Sequence, residues 1–279
     1  MNFGYLIIVA TSDKANYVDM AYALAMSIKH TQKPGYDRVA LVIDDVNSLN
    51  NLKAPWVFDH VIPWNQETFW DGRSWMDKLS PFEYTVCLDA DMLFTRDYSH
   101  WIDYFVENSE LYVANCGYNY RGQVANDDFY RKAFRENNLP NLYSYFTFFK
   151  SESSLVDEFF TLGRYIIKHP TEFSNVFLTN YKPKVLGTDE AFALAAKILG
   201  IEDQITYDLE FPKVTHLKPM IQGWPWPANK WSDHVGFYLN KRAQIKIGNY
   251  QQDGIVHYVE KDKINSEIIG VLEELVWKK

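Results

Sequence analysis

The 279-residue sequence predicts an α/β fold: a mostly parallel central sheet flanked by helices. Three observations lead there. Apolar, strand-length runs alternate with helix-period segments through the first ninety or so residues, the pattern of a parallel sheet with helical crossovers. Those runs are continuous in Leu, Ile and Val rather than alternating with polar residues, as strands buried on both faces are. A polar residue follows three of them, Thr11, Asp44 and Asp89, and open parallel sheets bind ligands at the carboxyl ends of their strands.

Taken in order, Gly4 to Thr11 reads as a buried strand, and Ser12-Asp13 as its turn. Tyr17, Met20, Ala21, Leu24 and Ile28 then recur at helical spacing up to about His30, before Lys33-Pro34-Gly35 breaks the chain. Arg38–Ile43 is a second strand and His60–Pro63 a third, shorter one. A helical segment over Arg73–Leu79 stops at Ser80-Pro81, and Tyr84–Leu88 is a fourth strand ending on Asp89. Beyond it, Glu110–Asn115, Tyr143–Lys150 and Ile255–Val259 read as strands. Ser154–Lys168, Asp189–Leu199 and the amphipathic Ile264–Val276 read as helices. Residues 216–235 are irregular and rich in Trp and Pro. Without an internal repeat or a Gly/Ser or Pro-rich linker, residues 1–279 form one domain.

Composition is that of a globular chain, 47% hydrophobic and 23% charged, with a net charge of −8. Proteins that grip duplex nucleic acid carry a basic face for the phosphates, and no Lys/Arg cluster stands out here. The aromatic share is 16%, which suits stacking on sugars or bases and equally suits an aromatic core. Cys87 and Cys116 lie in apolar runs without metal-binding spacing and read as buried thiols in a reducing cytoplasm. The opening residues lack a basic lead and a cleavage site, so they read as a strand rather than a signal peptide. No apolar run approaches the ~20 residues that span a bilayer. The expectation is a soluble cytoplasmic protein with no membrane partner.

The chemistry concentrates at Asp89-Ala90-Asp91, two carboxylates straight after an apolar strand and straight before Met92-Leu93-Phe94. Two acids pressed together at a buried strand end repel each other and lose hydration. A divalent cation removes both costs, and all-oxygen ligands suit Mg²⁺ or Mn²⁺, which also bind phosphate oxygens. A turn in which both acids face water or cap a helix is the plain alternative.

The segment resembles the D-x-D motif of glycosyltransferases with the Rossmann-like GT-A fold, especially the retaining, glycogenin-like family, and the resemblance extends over most of the chain. It implies that residues 1–95 bind the nucleotide and 96–279 the donor sugar and acceptor. Ile8-Val9-Ala10-Thr11-Ser12-Asp13 and Tyr17 are similar to that family's first strand and nucleotide loop, which implies that Thr11 contacts the nucleoside and Tyr17 stacks on the base. Ala90 would adjoin the donor. Arg73 stands where the family has a Lys that reaches donor phosphate or sugar, with Lys78 as a competitor. Asp189, in Gly187-Thr188-Asp189-Glu190, matches an acid that orients the donor sugar, although Thr188 and Asp189 also read as helix cap and first-turn acid. His257 and Lys263 match a late His-x-x-Gly-x-x-Lys segment, where the His completes the metal site with Asp89 and Asp91 and the Lys meets the diphosphate. A departure there is Glu260 for Gly, with Lys261 an alternative to Lys263; another is Tyr145 for the Gly of Asn-Ser-Gly, implying a reshaped sugar pocket. An imidazole ligand tilts preference toward Mn²⁺.

The implied enzyme is a metal-dependent glycosyltransferase, hexosyl or pentosyl, using a nucleotide-diphosphate sugar, first of all a UDP-sugar, with retention. His216, Trp224 and Trp226, extended by Trp231, offer an acceptor surface for stacking and hydrogen bonding. The acceptor stays open among glycan, protein and small molecule, with a hydroxymethylated base in DNA as a minority reading. The final helix could serve a dimer. Two rival readings remain: a phosphatase of the haloacid-dehalogenase type, whose D-x-D is on the first strand, and a non-catalytic carbohydrate- or nucleotide-binding module.

Overall fold

The computed structural model describes residues 1–279 apart from 65–68, 126–130, 208–211 and 219–229. β1 (Phe3–Val9) is buried nearly throughout, as its unbroken apolar run requires. The helix α1 (Tyr17–Thr31) starts where the Asn16 side chain accepts from the Asp19 amide at 3.0 Å. After β2 (Val39–Ile43) and the exposed edge strand β3 (His60–Pro63), the segment Phe69–Trp75 winds as a 3-10 turn into α2 (Met76–Leu79). The expected helix from Arg73 is therefore 3-10 in its first turn. β4 (Tyr84–Leu88) and β5 (Met92–Phe94) flank the Asp89–Asp91 tripeptide, and α3 (Ser99–Asn108) and β6 (Leu111–Ala114) follow.

The second half adds α4 (Lys132–Glu136), β7 (Tyr143–Lys150), α5 (Ser154–Lys168), α6 (Pro170–Phe177), α7 (Thr188–Leu199) and α8 (Glu202–Ile205). Short strands close the chain: β8 (Val214–His216), β9 (Phe237–Leu239), β10 (Ile245–Ile247), β11 (Tyr250–Gln251) and β12 (Ile255–His257), before α9 (Ser266–Trp277). The expected strand to Val259 ends early because Val259 turns to φ +63°.

The main sheet has the order β3-β2-β1-β4-β7-β6. All neighbouring pairs up to β4 are parallel, and β7 runs antiparallel to both β4 and β6. The sheet is thus mixed, with the reversal confined to β7. The period-two alternation of β1 divides the core: Tyr5, Ile7 and Val9 face one apolar cluster with α1 and α9, while Leu6 faces the other with α5 and α7. The helix α9 packs against α1, with Glu273 accepting from Lys53 at 2.7 Å.

A second sheet, β5-β12-β8, positions the functional residues. β12 pairs antiparallel with β5 and parallel with β8, so His257 lies opposite both Met92 and His216. Gly254, just before β12, lets these strands approach: a Cβ there would collide with the Lys213 carbonyl oxygen. Among the described residues, Tyr5, Tyr98, Tyr112, Tyr258 and Trp231 are core aromatics. Cys87 is buried but Cys116 only half-buried, and both are free thiols. No helix among the described residues is long and apolar enough to cross a membrane.

Candidate active site

Two adjoining clefts open at the carboxyl ends of β1, β2 and β4. The first, about 580 Å³, is lined by the loop after β1, including Thr11 and Tyr17, and by Ser48 and Asn51. That volume lies within the range of small-molecule sites. Thr11 and Asp44 meet across neighbouring strand ends: the Thr11 amide donates to Asp44 Oδ1 at 2.8 Å and its hydroxyl to Oδ2 at 3.0 Å. The second cleft, about 220 Å³, is lined by Asp89, Asp91, Asp189, His257 and Lys218 among others. Lys261 joins the two: it lines the second cleft while its ammonium lies 5.3 Å from the centre of the Tyr17 ring in the first.

The three expected metal ligands come together. One donor atom from each of Asp89, Asp91 and His257 can be chosen with all three within 4.8 Å of one another. His257 Nε2 is 3.1 Å from Asp91 Oδ1 and 3.6 Å from Asp89 Oδ2. Adjacent ligands of an octahedral ion with bonds of about 2.1 Å are about 3.0 Å apart, so the spacing fits a small divalent cation. The donor set, two carboxylates and an imidazole, fits Mn²⁺ or Mg²⁺. Cations lean on both acids: the Arg73 guanidinium pairs with Asp89 and also donates to Ser144 Oγ at 3.0 Å, and Lys261 Nζ is 2.6 Å from Asp91 Oδ2. Burial alone would raise the Asp91 carboxyl, but His257 and Lys261 outweigh it and hold it well below the ordinary carboxylate range.

Asp189 lies at the far side of this cleft, in the first turn of α7. Gly187 rather than Thr188 caps that helix, donating its amide to Glu190 Oε2 at 3.0 Å. Asp189 Oδ1 accepts from the Ser144 amide at 2.9 Å and hydroxyl at 2.6 Å, and Oδ2 accepts from Arg131 at 2.7 Å. Burial would raise this carboxyl too, and Arg131 with Ser144 reverses the effect and lowers it. Sequence reasoning missed Arg131. It is 4% exposed, sandwiched on the Phe134 and Tyr143 rings, and bonded to Asn141 and the Leu142 carbonyl. An isolated Arg in Phe129-Tyr130-Arg131-Lys132 carries no motif, so only the fold could reveal it.

Several other expected residues fall elsewhere. Lys263 pairs with Glu260 at 3.2 Å and lies over the Trp231 ring, so Lys261 rather than Lys263 reaches the carboxylates. The Ala90 side chain packs into the core, 8% exposed, and lines neither cleft. Lys78 pairs at the surface with Asp157. Trp231 is fully buried and donates from Nε1 to the Tyr258 carbonyl at 2.6 Å, which removes it from any acceptor surface. Trp224 and Trp226 lie outside the described residues. His216 lines the second cleft on β8, with Tyr145, whose hydroxyl donates to the Cys116 carbonyl at 2.7 Å. Lys218 lines it too, and burial pulls its ammonium down to about 8.

Among solved structures the chain is similar to mouse xyloside xylosyltransferase 1 in its apo form, at TM-score 0.52 and 13% identity over 92% of this chain and 97% of the other. It is also similar to the apo glycosyltransferase GlyE of Streptococcus pneumoniae TIGR4, at 0.50 and 10%, and to apo WbbM, a bifunctional glycosyltransferase, at 0.54 and 12%. Each covers 99% of this chain, which spans 60% of GlyE and 49% of WbbM. The chain has a glycosyltransferase fold. No family model matches the sequence and no curated protein sequence matches it. Within the glycosyltransferase fold, the Asp89–Asp91 tripeptide follows directly on the central strand β4, and the mixed sheet flanked by helices is common ground with these neighbours.

Proposed function

We propose that this chain is a metal-dependent glycosyltransferase that takes a sugar from a nucleotide-diphosphate sugar, in the first place a UDP-sugar. One observation carries the reading: Asp89, Asp91 and His257 converge at a strand end of a glycosyltransferase fold, beside a cleft large enough for a nucleoside. The nucleoside lies against Thr11 and Tyr17, and the diphosphate crosses at Lys261 into the smaller cleft. When bound there, Mn²⁺ or Mg²⁺ supplies Lewis-acid stabilisation of the leaving diphosphate, a contribution of several kcal/mol in such sites. Lys261 and Arg73, which neutralise the two carboxylates, turn to the phosphate oxygens as charge develops.

Asp189 orients the donor sugar. Its oxygens already accept from Ser144 and Arg131, which favours a hydrogen-bonding partner of a sugar hydroxyl over a nucleophile. Retention at the anomeric carbon rests on the resemblance to glycogenin-like enzymes. Tyr145, in a strand position where that family has Gly, narrows the sugar end of the cleft. The acceptor is a glycan, a protein or a small molecule; the net charge of −8 speaks against duplex DNA. Two free thiols suit a cytoplasmic setting.

Titration calorimetry of UDP, UDP-glucose and GDP-mannose, with and without Mn²⁺, tests the reading on wild type and Asp91→Ala. The expected result is metal-dependent binding of uridine nucleotides, lost in the variant. No nucleotide binding under any metal condition would reject it. Tight nucleotide binding with no transfer or donor hydrolysis would replace it with a binding module.

A further inference from the structure

His257 uses only one of its two ring nitrogens toward the carboxylates. Nε2 faces Asp89 and Asp91, while Nδ1 lies 3.0 Å from Nδ1 of His216. Both rings are buried, on strands whose register sets His257 opposite His216. Their place is secured from several sides. The Tyr145 ring packs 5.4 Å from each of them, and the His216 amide donates to the Tyr118 carbonyl at 2.9 Å.

Two nitrogens at this distance share one proton. With none, lone pair faces lone pair; with two, N–H faces N–H. With both rings neutral, two arrangements satisfy that condition. In one, His257 carries its proton on Nδ1 and donates to His216; in the other, His216 donates and His257 turns an Nε2–H toward Asp91. Only the first leaves an Nε2 lone pair for a cation.

We propose that His216 is the positioning residue of the metal site. Its Nδ1 accepts from His257 Nδ1–H, fixes that ring in the tautomer with a bare Nε2, and aims the lone pair between Asp89 and Asp91. The proton of His216 itself is then on Nε2. Ligating histidines are oriented in this way by a partner on the other nitrogen, and loss of such a partner weakens metal binding by about 10–100-fold. The inference rests on the metal-site reading above.

Mn²⁺ binding is measured by titrating the electron paramagnetic resonance signal of free Mn²⁺ against wild type, His216→Phe, His216→Asn and Asp91→Ala, with circular dichroism to confirm folding. His216→Phe keeps the ring volume without an acceptor and should weaken Mn²⁺ by about 10–100-fold. His216→Asn offers an amide oxygen near the same point and should recover most of that loss. Long-range proton–nitrogen spectra of the histidine rings in Zn²⁺-loaded wild type should place the proton on Nδ1 of His257 and on Nε2 of His216. Equal Mn²⁺ affinity in His216→Phe and wild type overturns the role of His216 alone, as does the reverse tautomer pair. Failure of wild type itself to bind Mn²⁺ overturns the metal site and this inference together. Should His216→Phe not fold, the wild-type tautomers decide.

Discussion

Arg131 and Lys218 hold opposite positions in the electrostatics of the second cleft. Arg131 is buried with its charge fully engaged by Asp189, the Leu142 carbonyl and two aromatic faces. Removing one partner of a buried pair leaves the other charge uncompensated, at a cost of about 3–5 kcal/mol. Arg131→Leu should lower the unfolding free energy by that amount at pH 7 in urea denaturation. The deficit should narrow in acid: the Asp189 carboxyl is lowered in the fold, so the stability it contributes is present above its ordinary value and lost as pH falls through the folded one. Lys218 is a base pulled down to about 8 by burial. Its charge is present below that value and lost above it. Donor binding in the cleft that Lys218 lines should therefore weaken as pH rises through about 8, and Lys218→Met should remove that leg from a calorimetric pH series. The same shift makes stability rise with pH between about 8 and 10.5, where the unfolded chain alone retains the proton.

At the scale of elements, β8 and β12 approach so closely at their start that Gly254 has no room for a side chain. Gly254→Ala would push a methyl into the Lys213 backbone at the point where the two strands begin to pair. Overpacking of this kind costs about 1–3 kcal/mol. The variant should unfold at lower urea concentration, and its Mn²⁺ affinity should fall because the spacing of His216 and His257 depends on the same pairing. Val259 shows a related local demand. Its φ of +63° is one that a β-branched residue adopts at a cost, and the Glu260 amide donates back to the Tyr258 carbonyl at 2.6 Å across it. That turn directs Lys261 back over Asp91. The apolar runs of β1, β2 and β4 announced themselves because a strand buried on both faces has no other composition available. Of the three-residue strands, β12 showed within the longer apolar run Ile255–Val259, whereas β8, β9 and β10 did not, since so short a segment carries no period. β7 shows the limit from another side: its extent was legible and its direction was not, because an antiparallel partner in the middle of a sheet is equally apolar on both faces.

For the molecule as a whole, the metal-ligand candidates were legible and their support was not. Asp89 and Asp91 stand out as adjacent acids at the end of an apolar run, and His257 stands out through a family resemblance; the geometry brings all three to one point. Arg131, Ser144 and His216 matter through what they touch, and those contacts cross 58, 45 and 41 positions of chain. A single sequence offers no periodicity at such separations. The tryptophan-rich stretch misled in one respect, since Trp231 is a core residue that closes on Tyr258. The wide separation also governs the order of events during folding. Asp91 meets His257 across 166 positions and Lys261 across 170, and closing a loop of that length is the slow kind of step. The β1–β4 framework can form from the first third of the chain, with two acids at its rim and no counter-charge from the far end. A chain synthesised only as far as β4 therefore holds four of the six strands of the main sheet, while the candidate third ligand and the Lys261 counter-charge are still to come.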